Sequence, residues 1–552
     1  MASLEDVTVL LPHPEKDTVN KQDKKFCLKP ACYHPRRVRN KGALLVLAWN
    51  FLTMSVFYLI NDYLSDRYLL KVCLGVFGLT LLIAGWLADT RIGRYNVMRS
   101  GIWIMWIATL ITTTSSVVAS LYGSYDAVHS ILLQIALPVM AVGLGGFQAS
   151  IIQFGLDQLH DASTSEIKSF IIWFVWTAHC QGIPMDFTFV CLKEGHRIFM
   201  LLYVFANLSL TMILVYICNH SLIKEPIQQN PLKLVCKVIR YAIKNKYPRQ
   251  RSAFTYCEDE FPPRIDFGKS KYGGPFTTEQ VEDVKTFFRF LPVAMVAGML
   301  CGSVLTSNVI RDSMYKQFTE ISQLAMHSDD FLTKCSYEAS FTHTAYYGAV
   351  FLILFHEVLI YPIFYRWSPR MESLHKMLVG MVALIAKVLT LMTYNIISRH
   401  NYLKISRHNA TTSCLFEASN GVFKESFSYH WIVIPDFLST VSIMMFYIGA
   451  IEFISAQVPF FMKGLMIGMT YCSFYVSSSL WLAVSLPFVH FHSIWGKGTL
   501  SCGFWYILLL ATVDVGIFLT LAILTRWYKK RRRQDVLPNE HFFAEQYFST
   551  NN

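Results

Sequence analysis

Apolar residues along the chain gather into long runs separated by short polar stretches. A helix needs about 20 mostly apolar residues to cross the hydrocarbon core of a bilayer. Runs of that kind fall near 43–64, 69–88, 100–120, 128–152, 169–190, 197–219, 287–307, 342–364, 376–397, 431–453, 464–486 and 502–526. They predict an all-α membrane protein of twelve membrane-spanning helices. The polar stretches divide it into a basic tail (1–42), a six-helix half (43–219), a linker (220–285), a second six-helix half (286–526) and a basic tail (527–552). Within the linker, PLKLVCKVIRYAIKNK (Pro231 to Lys246) spaces its apolar residues as an amphipathic helix lying on lipid or protein.

Composition agrees. Of 552 residues, 53% are hydrophobic and only 16% charged, with mean hydropathy +0.36. Soluble domains carry nearer a quarter charged, so a globular cytosolic enzyme is excluded. The net charge of +12 is not a nucleic-acid signal, because the basic residues cluster in the tails and linker. Lys16, Lys21, Lys24, Lys25, Lys29, Arg36, Arg37, Arg39 and Lys41 precede the first helix. Lys224, Lys233, Lys237, Arg240, Lys244, Lys246, Arg249 and Arg251 fill the linker, and Arg526 to Arg533 follow the last helix. Basic residues of this placement orient a membrane protein with those segments in the cytosol. The tail 1–42 has no cleavable signal pattern, and an even helix count puts both termini on that side.

Other chemistry is sparse. The 13 cysteines are scattered without the spacing of a zinc or redox site, and only Cys335 and Cys414 stand in polar stretches outside the cytosol, where conditions permit a disulfide without requiring one. No nucleophile, metal cluster or phosphate loop has the spacing catalysis needs, so neither an enzyme nor a cofactor or metal is expected. A channel is disfavoured by the lack of a short re-entrant segment. Asn409-Ala410-Thr411 is a glycosylation sequon on the non-cytosolic side, whereas Asn207-Leu208-Ser209 sits in an apolar run and reads as chance.

Ionisable residues inside apolar runs are costly and therefore informative. Lys387 and Asp514 lie at matching depth by helical rise and read as a structural ion pair. Glu357 and Glu452 fall near helix ends, where pairing with bases such as Arg366 or Lys463 is favoured over substrate binding. Tyr58, Trp173, Trp176 and Trp481 either line a pocket or pack at lipid.

Six helices, a long linker and six helices form the layout of the major facilitator architecture, with its substrate site between the halves at midplane. Between the second and third helices stands GWLADTRIGRY, with Gly85, Asp89, Arg91, Gly93, Arg94 and Tyr95. The glycines permit tight turns and the charges can pair or cap. This motif resembles the gating loop of the proton-coupled oligopeptide transporter family of that superfamily. GLGGFQASIIQFGLDQLHD (Gly143 to Asp161), SFIIWFVWTAHCQG (Ser169 to Gly182), GGPFTTEQVEDVKTFFRFLPV (Gly273 to Val293) and IEFISAQVPFFMKGLM (Ile451 to Met466) resemble the same family. The third of these is most like the animal peptide/histidine transporters of solute carrier family 15. The resemblance implies proton-driven movement of di- or tripeptides, or of amino acids such as histidine, by alternating access.

The departures from that family are equally specific. Its first-helix Glu and Arg residues are absent, since 43–64 contain no Glu, Arg or Lys and Asn50 is the strongly polar group of the first half of that helix. Its fourth-helix Lys is Gln148, the matching Glu falls near Ser442 or Ile443, and its fifth-helix Asn is His179. Losing both members of a Lys–Glu pair together is physically coherent. His179 then reads either as a proton carrier or as a neutral hydrogen-bonded histidine, and Gln148 as a substrate contact or an interhelical one. Asp6-Val7-Thr8-Val9-Leu10-Leu11 fits the acidic dileucine pattern that sorting adaptors read, so the plasma membrane and the endosomal or lysosomal membrane both remain open. The alternative to a transporter is a transport-inactive membrane scaffold or sensor of the same fold.

Overall fold

The computed structural model describes residues 40–63, 67–122, 126–159, 162, 164–185, 197–226, 230–245, 263–325, 344–356, 373–405, 433–490 and 502–528. Its first helices are α1 (Lys41–Tyr63), α2 (Arg67–Thr90), α3 (Arg94–Tyr122), α4 (Asp126–Asp157), α5 (Thr164–Cys180) and α6 (Arg197–Ile217). The linker contributes α7 (Pro231–Lys244). Then come α8 (Thr278–Ala325), α9 (Thr344–Phe355), α10 (Ser373–Ile405), α11 (Val433–Gln457), α12 (Lys463–His490) and α13 (Cys502–Trp527). Each of the twelve apolar runs coincides with one of these helices, and nine of them, among the described residues, are long and apolar enough to cross a membrane. The protein is a multi-pass integral membrane protein of two six-helix halves.

Helix limits differ from the apolar runs in a regular way. α3 starts six residues before its run and α8 nine before, because backbone hydrogen bonding continues into water after hydrophobicity stops. Polar caps set these starts. The Asn40 side chain accepts the amides of Gly42 and Ala43 at 2.8 and 3.3 Å. Thr277 and Gln280 bond each other's amides reciprocally at 3.2 and 3.1 Å, a capping box at the head of α8.

Packing places the apolar surface both inside and outside. Trp49, Phe147, Phe154, Phe170, Phe290 and Phe446 are fully buried, while Leu79, Ile83, Ile107, Ile135, Ile213 and Leu519 stand exposed on helix exteriors. An outward apolar face of that extent is what lipid covers. In the first half α4 packs on α1, α2 and α3; in the second α10 packs on α11 and α13, and α12 on α8. The halves meet where α2 runs along α12 and where α5 touches α9 and α11.

The amphipathic linker helix lies on protein. Pro231, Leu234, Val235, Val238 and Ala242 are buried, with Tyr241 edge-on to Phe276 at 6.0 Å, while Lys233, Lys237, Arg240 and Lys244 face outward. Four charges fasten the segment after it to the head of α8. Lys269 reaches Asp266 at 2.9 Å and Glu282 at 2.7 Å, and Lys285 contacts Glu282 at 3.1 Å and also Asp266. Burial alone pulls the Lys269 ammonium down, but its bonds to Glu282 and Asp266 outweigh that and hold its pKa above the usual lysine value.

Candidate substrate and gating sites

Polar groups on α1, α4 and α5 converge in the first half. Asn50 donates through Nδ2 to the Phe174 carbonyl and to Thr177 Oγ1, both at 3.0 Å, and accepts from Gln148 Nε2 at 3.2 Å. Gln148 also approaches Met54 Sδ at 3.3 Å and stays partly accessible. Two predicted residues therefore belong to one network, to which sequence reasoning did not add Thr177 or Met54. Their signal was weak, since a hydroxyl or thioether in an apolar run has many ordinary uses. The network is neutral, so it can bind amides, carboxylates and ammonium groups by hydrogen bonds alone.

The other candidates lie further along the same helices or elsewhere. Tyr58 donates to the Ala178 carbonyl at 3.3 Å, and its ring lies against Gly182. His179 Nδ1 is 2.9 Å from the Val175 carbonyl one turn back, a bond the ring makes by donating from Nδ1. Trp173 and Trp176 stack edge to face at 5.4 Å, both partly accessible. Trp481 is buried on α12, and its carbonyl accepts the Tyr506 hydroxyl at 3.1 Å. Among the described residues it is not hydrogen-bonded to Asn50, Gln148 or Thr177.

The gating motif is built around Asp89 at the end of α2. Its Oδ2 accepts the backbone amide of Leu465 on α12 at 2.9 Å, and its Oδ1 receives Arg94 at 3.4 Å. Arg94 turns its Nη1 onto both oxygens of Asp157, at 2.8 and 2.7 Å. The chain reverses between these helices at Gly93, whose φ of 84° suits glycine. Gly85 is needed for approach: a Cβ there would run into the Gly464 carbonyl, and one on Gly464 would meet the Asp89 carboxylate. Farther along the same seam Phe77 lies edge-on to Tyr475 at 4.9 Å. A cleft of about 290 Å³ opens beside the latch, lined among others by Arg94, Arg99, Asp157, Lys224 and Phe461. Lys224 spans it 4.5 Å above the Tyr95 ring. Next to it Gln158 grips the backbone of Ile223, donating to its carbonyl at 2.9 Å and accepting its amide at 3.0 Å, while its own carbonyl accepts Asn40.

The second half holds its own buried charges. Lys387 and Asp514 are fully buried on adjoining helices, close enough for the Lys387 charge to act on the carboxylate; Lys387 Nζ also donates to Ser439 at 3.1 Å, and Asp514 Oδ2 accepts from Ser303 at 2.9 Å. Glu452 pairs with Lys376 at 2.6 Å. Asn207 lies inside α6. Asn409, Cys335, Cys414, Glu357, Arg366, Asp6, Leu10 and Leu11 lie outside the described residues. Among the described residues no group of three or more His, Cys, Asp or Glu has metal-holding geometry.

Comparison with known proteins gives these sites a context. The PTR2 profile of the POT family matches residues 95–494. Human solute carrier family 15 member 5 is 23% identical over 239 residues, 41% of this chain and 40% of that protein. Human solute carrier family 15 member 1 is 23% identical over 324 residues, 55% of this chain and 43% of its own length. The matched regions thus span less than half of either relative. A crystal structure of an auto-inhibited POT family peptide transporter superposes with TM-score 0.58 at 15% identity, covering 90% of this chain and 99% of that one. With a profile that covers most of its length and the fold to match, the chain belongs to the POT family.

Proposed function

We propose that the protein is a secondary transporter that moves di- or tripeptides, or single amino acids such as histidine, by alternating access of its two halves. The observation that carries this reading is the latch of Asp89, Arg94, Asp157 and the Leu465 amide. It ties α2 and α4 of one half to α12 of the other at one end of the bundle. Such a cluster releases as a unit, which is what a two-state gate requires. On this reading the basic linker and tails face the cytosol, and Asn409 is exposed to glycosylation on the other side.

Substrate meets the neutral Asn50, Gln148 and Thr177 group, where hydrogen bonds replace a charged clamp. Sites of that kind favour amide-rich or zwitterionic ligands with modest affinity, because no single ion pair supplies the binding energy. His179, Tyr58 and Trp481 are the further groups assigned to the substrate and proton path. Residence in the plasma membrane or in endosomes and lysosomes follows from whether adaptors read Asp6, Leu10 and Leu11.

The test is uptake of labelled dialanine and of labelled histidine into proteoliposomes holding the purified full chain, with empty vesicles as control. Saturable uptake and accelerated exchange against unlabelled substrate are expected. Folded protein with neither would overturn the reading in favour of a membrane scaffold.

A further inference from the structure

Three ionisable side chains lie inside the apolar interior of the second half, on three neighbouring helices: Lys387 on α10 and Asp514 on α13, both 0% exposed, and Asp436 on α11, 1% exposed. Fully ionised, these three sum to a net charge of −1. Lys387 is drawn toward α11, where its Nζ meets Ser439, one helical turn from Asp436 and on the same face. Asp514 takes the Ser303 hydroxyl on its Oδ2 and lies within reach of the Lys387 charge, while its Oδ1 has no hydrogen-bond partner among the described residues.

A buried carboxylate with one bare oxygen is expensive in an apolar bundle, and the cost is removed when a cation binds that oxygen. A metal ion of the alkali or alkaline-earth kind needs about six oxygen ligands. Here the neighbours are a hydroxyl from α8, the Lys387 ammonium from α10, and the Asp436 and Ser439 groups of α11, while α12 approaches α13 through the Tyr506 hydroxyl on the Trp481 carbonyl. The Lys387 ammonium among these groups repels a metal ion, whereas a proton needs only the one bare oxygen. A serine hydroxyl donates to a carboxylate and accepts from a carboxylic acid, so Ser303 serves Asp514 in either state.

We propose that Asp514 is a proton-binding site, with Ser303 and Lys387 as its positioning groups, and that it couples the proton gradient to transport. The coupling rests on the transport reading above; the proton site stands without it. The step is a proton transfer: an O–H bond forms at Asp514 Oδ1 as one in hydronium breaks, and the reverse transfer to water releases the proton.

Two measurements separate the claims. In infrared difference spectra of the purified full chain between acid and alkaline buffer, wild type should show the carbonyl band of a protonated buried carboxyl. That band should be lost in Asp514→Asn, shifted in Ser303→Ala and enlarged in Lys387→Met, which removes the cation that acts on Asp514. A band unchanged in Asp514→Asn, or altered by sodium at fixed pH, overturns the site. In proteoliposomes, Asp514→Asn should keep exchange of labelled dialanine or histidine yet lose stimulation by an inward proton gradient, and Asp514→Glu should retain it. Stimulation that survives in Asp514→Asn, or exchange without stimulation in wild type, overturns the coupling. Absence of exchange in wild type condemns the transport reading and with it the coupling, while the infrared result still decides the proton site.

Discussion

Asp89 holds the backbone amide of Leu465 at 2.9 Å across 376 positions of sequence. The bond joins the end of α2 to the start of α12, and the same carboxylate receives Arg94. Asp89→Ala is therefore expected to break the seam between the halves and leave the Leu465 amide without an acceptor, while Arg94 keeps its two bonds to Asp157. Leaving a buried donor unsatisfied costs about 1–3 kcal/mol. Thermal unfolding in detergent should fall accordingly, and cysteines placed on α2 and α12 near this end should become more reactive to a soluble thiol reagent. Unchanged reactivity would show that the seam does not depend on Asp89.

Steric crowding at the seam gives a second expectation. Gly85→Ala puts a methyl group against the Gly464 carbonyl. Overpacking of this sort costs about 1–3 kcal/mol. The seam should open rather than the helices unfold, so spin labels on α2 and α12 should report a longer separation with little loss of helix content.

The hydrogen-bonded group of α1, α4 and α5 predicts a split between stability and transport. Asn50→Ala removes one bond each from Gln148 Nε2, the Phe174 carbonyl and Thr177, a loss of about 1–3 kcal/mol for buried groups. Gln148→Leu removes the accessible member instead. It should raise KM for dipeptide uptake more than it lowers the unfolding temperature, and an unaltered KM would remove Gln148 from the substrate site.

The docking of the linker onto α8 depends on pH in a fixed direction. Because the Lys269 pKa is raised in the folded protein, its contribution is complete below the ordinary lysine value and is lost as pH rises through the higher folded value. Amides of residues 263–277 should therefore stay protected from hydrogen exchange through neutral pH. They should lose protection only in buffer above about pH 10.4, the unperturbed lysine value. In Lys269→Met the loss should already be present at neutral pH.

Much of this was legible in the sequence, for reasons that differ by residue. Apolar length marked the twelve membrane helices, and the spacing of Leu234, Val235, Val238 and Ala242 marked α7, because burial is a property of residue type. Asp89 and Arg94 were legible as a charged turn. Leu465 was not, since its contribution is a backbone amide that every residue but proline carries. Asn50 and Gln148 stood out as lone polar groups in apolar runs, but their meeting depends on how α1 and α4 are rotated. The same limit applies to Lys387 and Asp514, whose height was readable and whose serine partners were not. Asp436 was readable as an acid within 431–453, yet its placement one turn from the hydroxyl that receives Lys387 needed the fold.

The linker is divided in its loyalties. Its first residues are held to α4 through the grip of Gln158 on Ile223, whereas α7 and the segment after it are fastened to α8. The chain between these two anchorages runs only from Ile223 to Asn230. Seven residue steps reach no farther than about 25 Å even when fully extended. The connector is thus a short leash, and its length sets an upper limit on how far the two bodies can separate at that edge during a transport cycle.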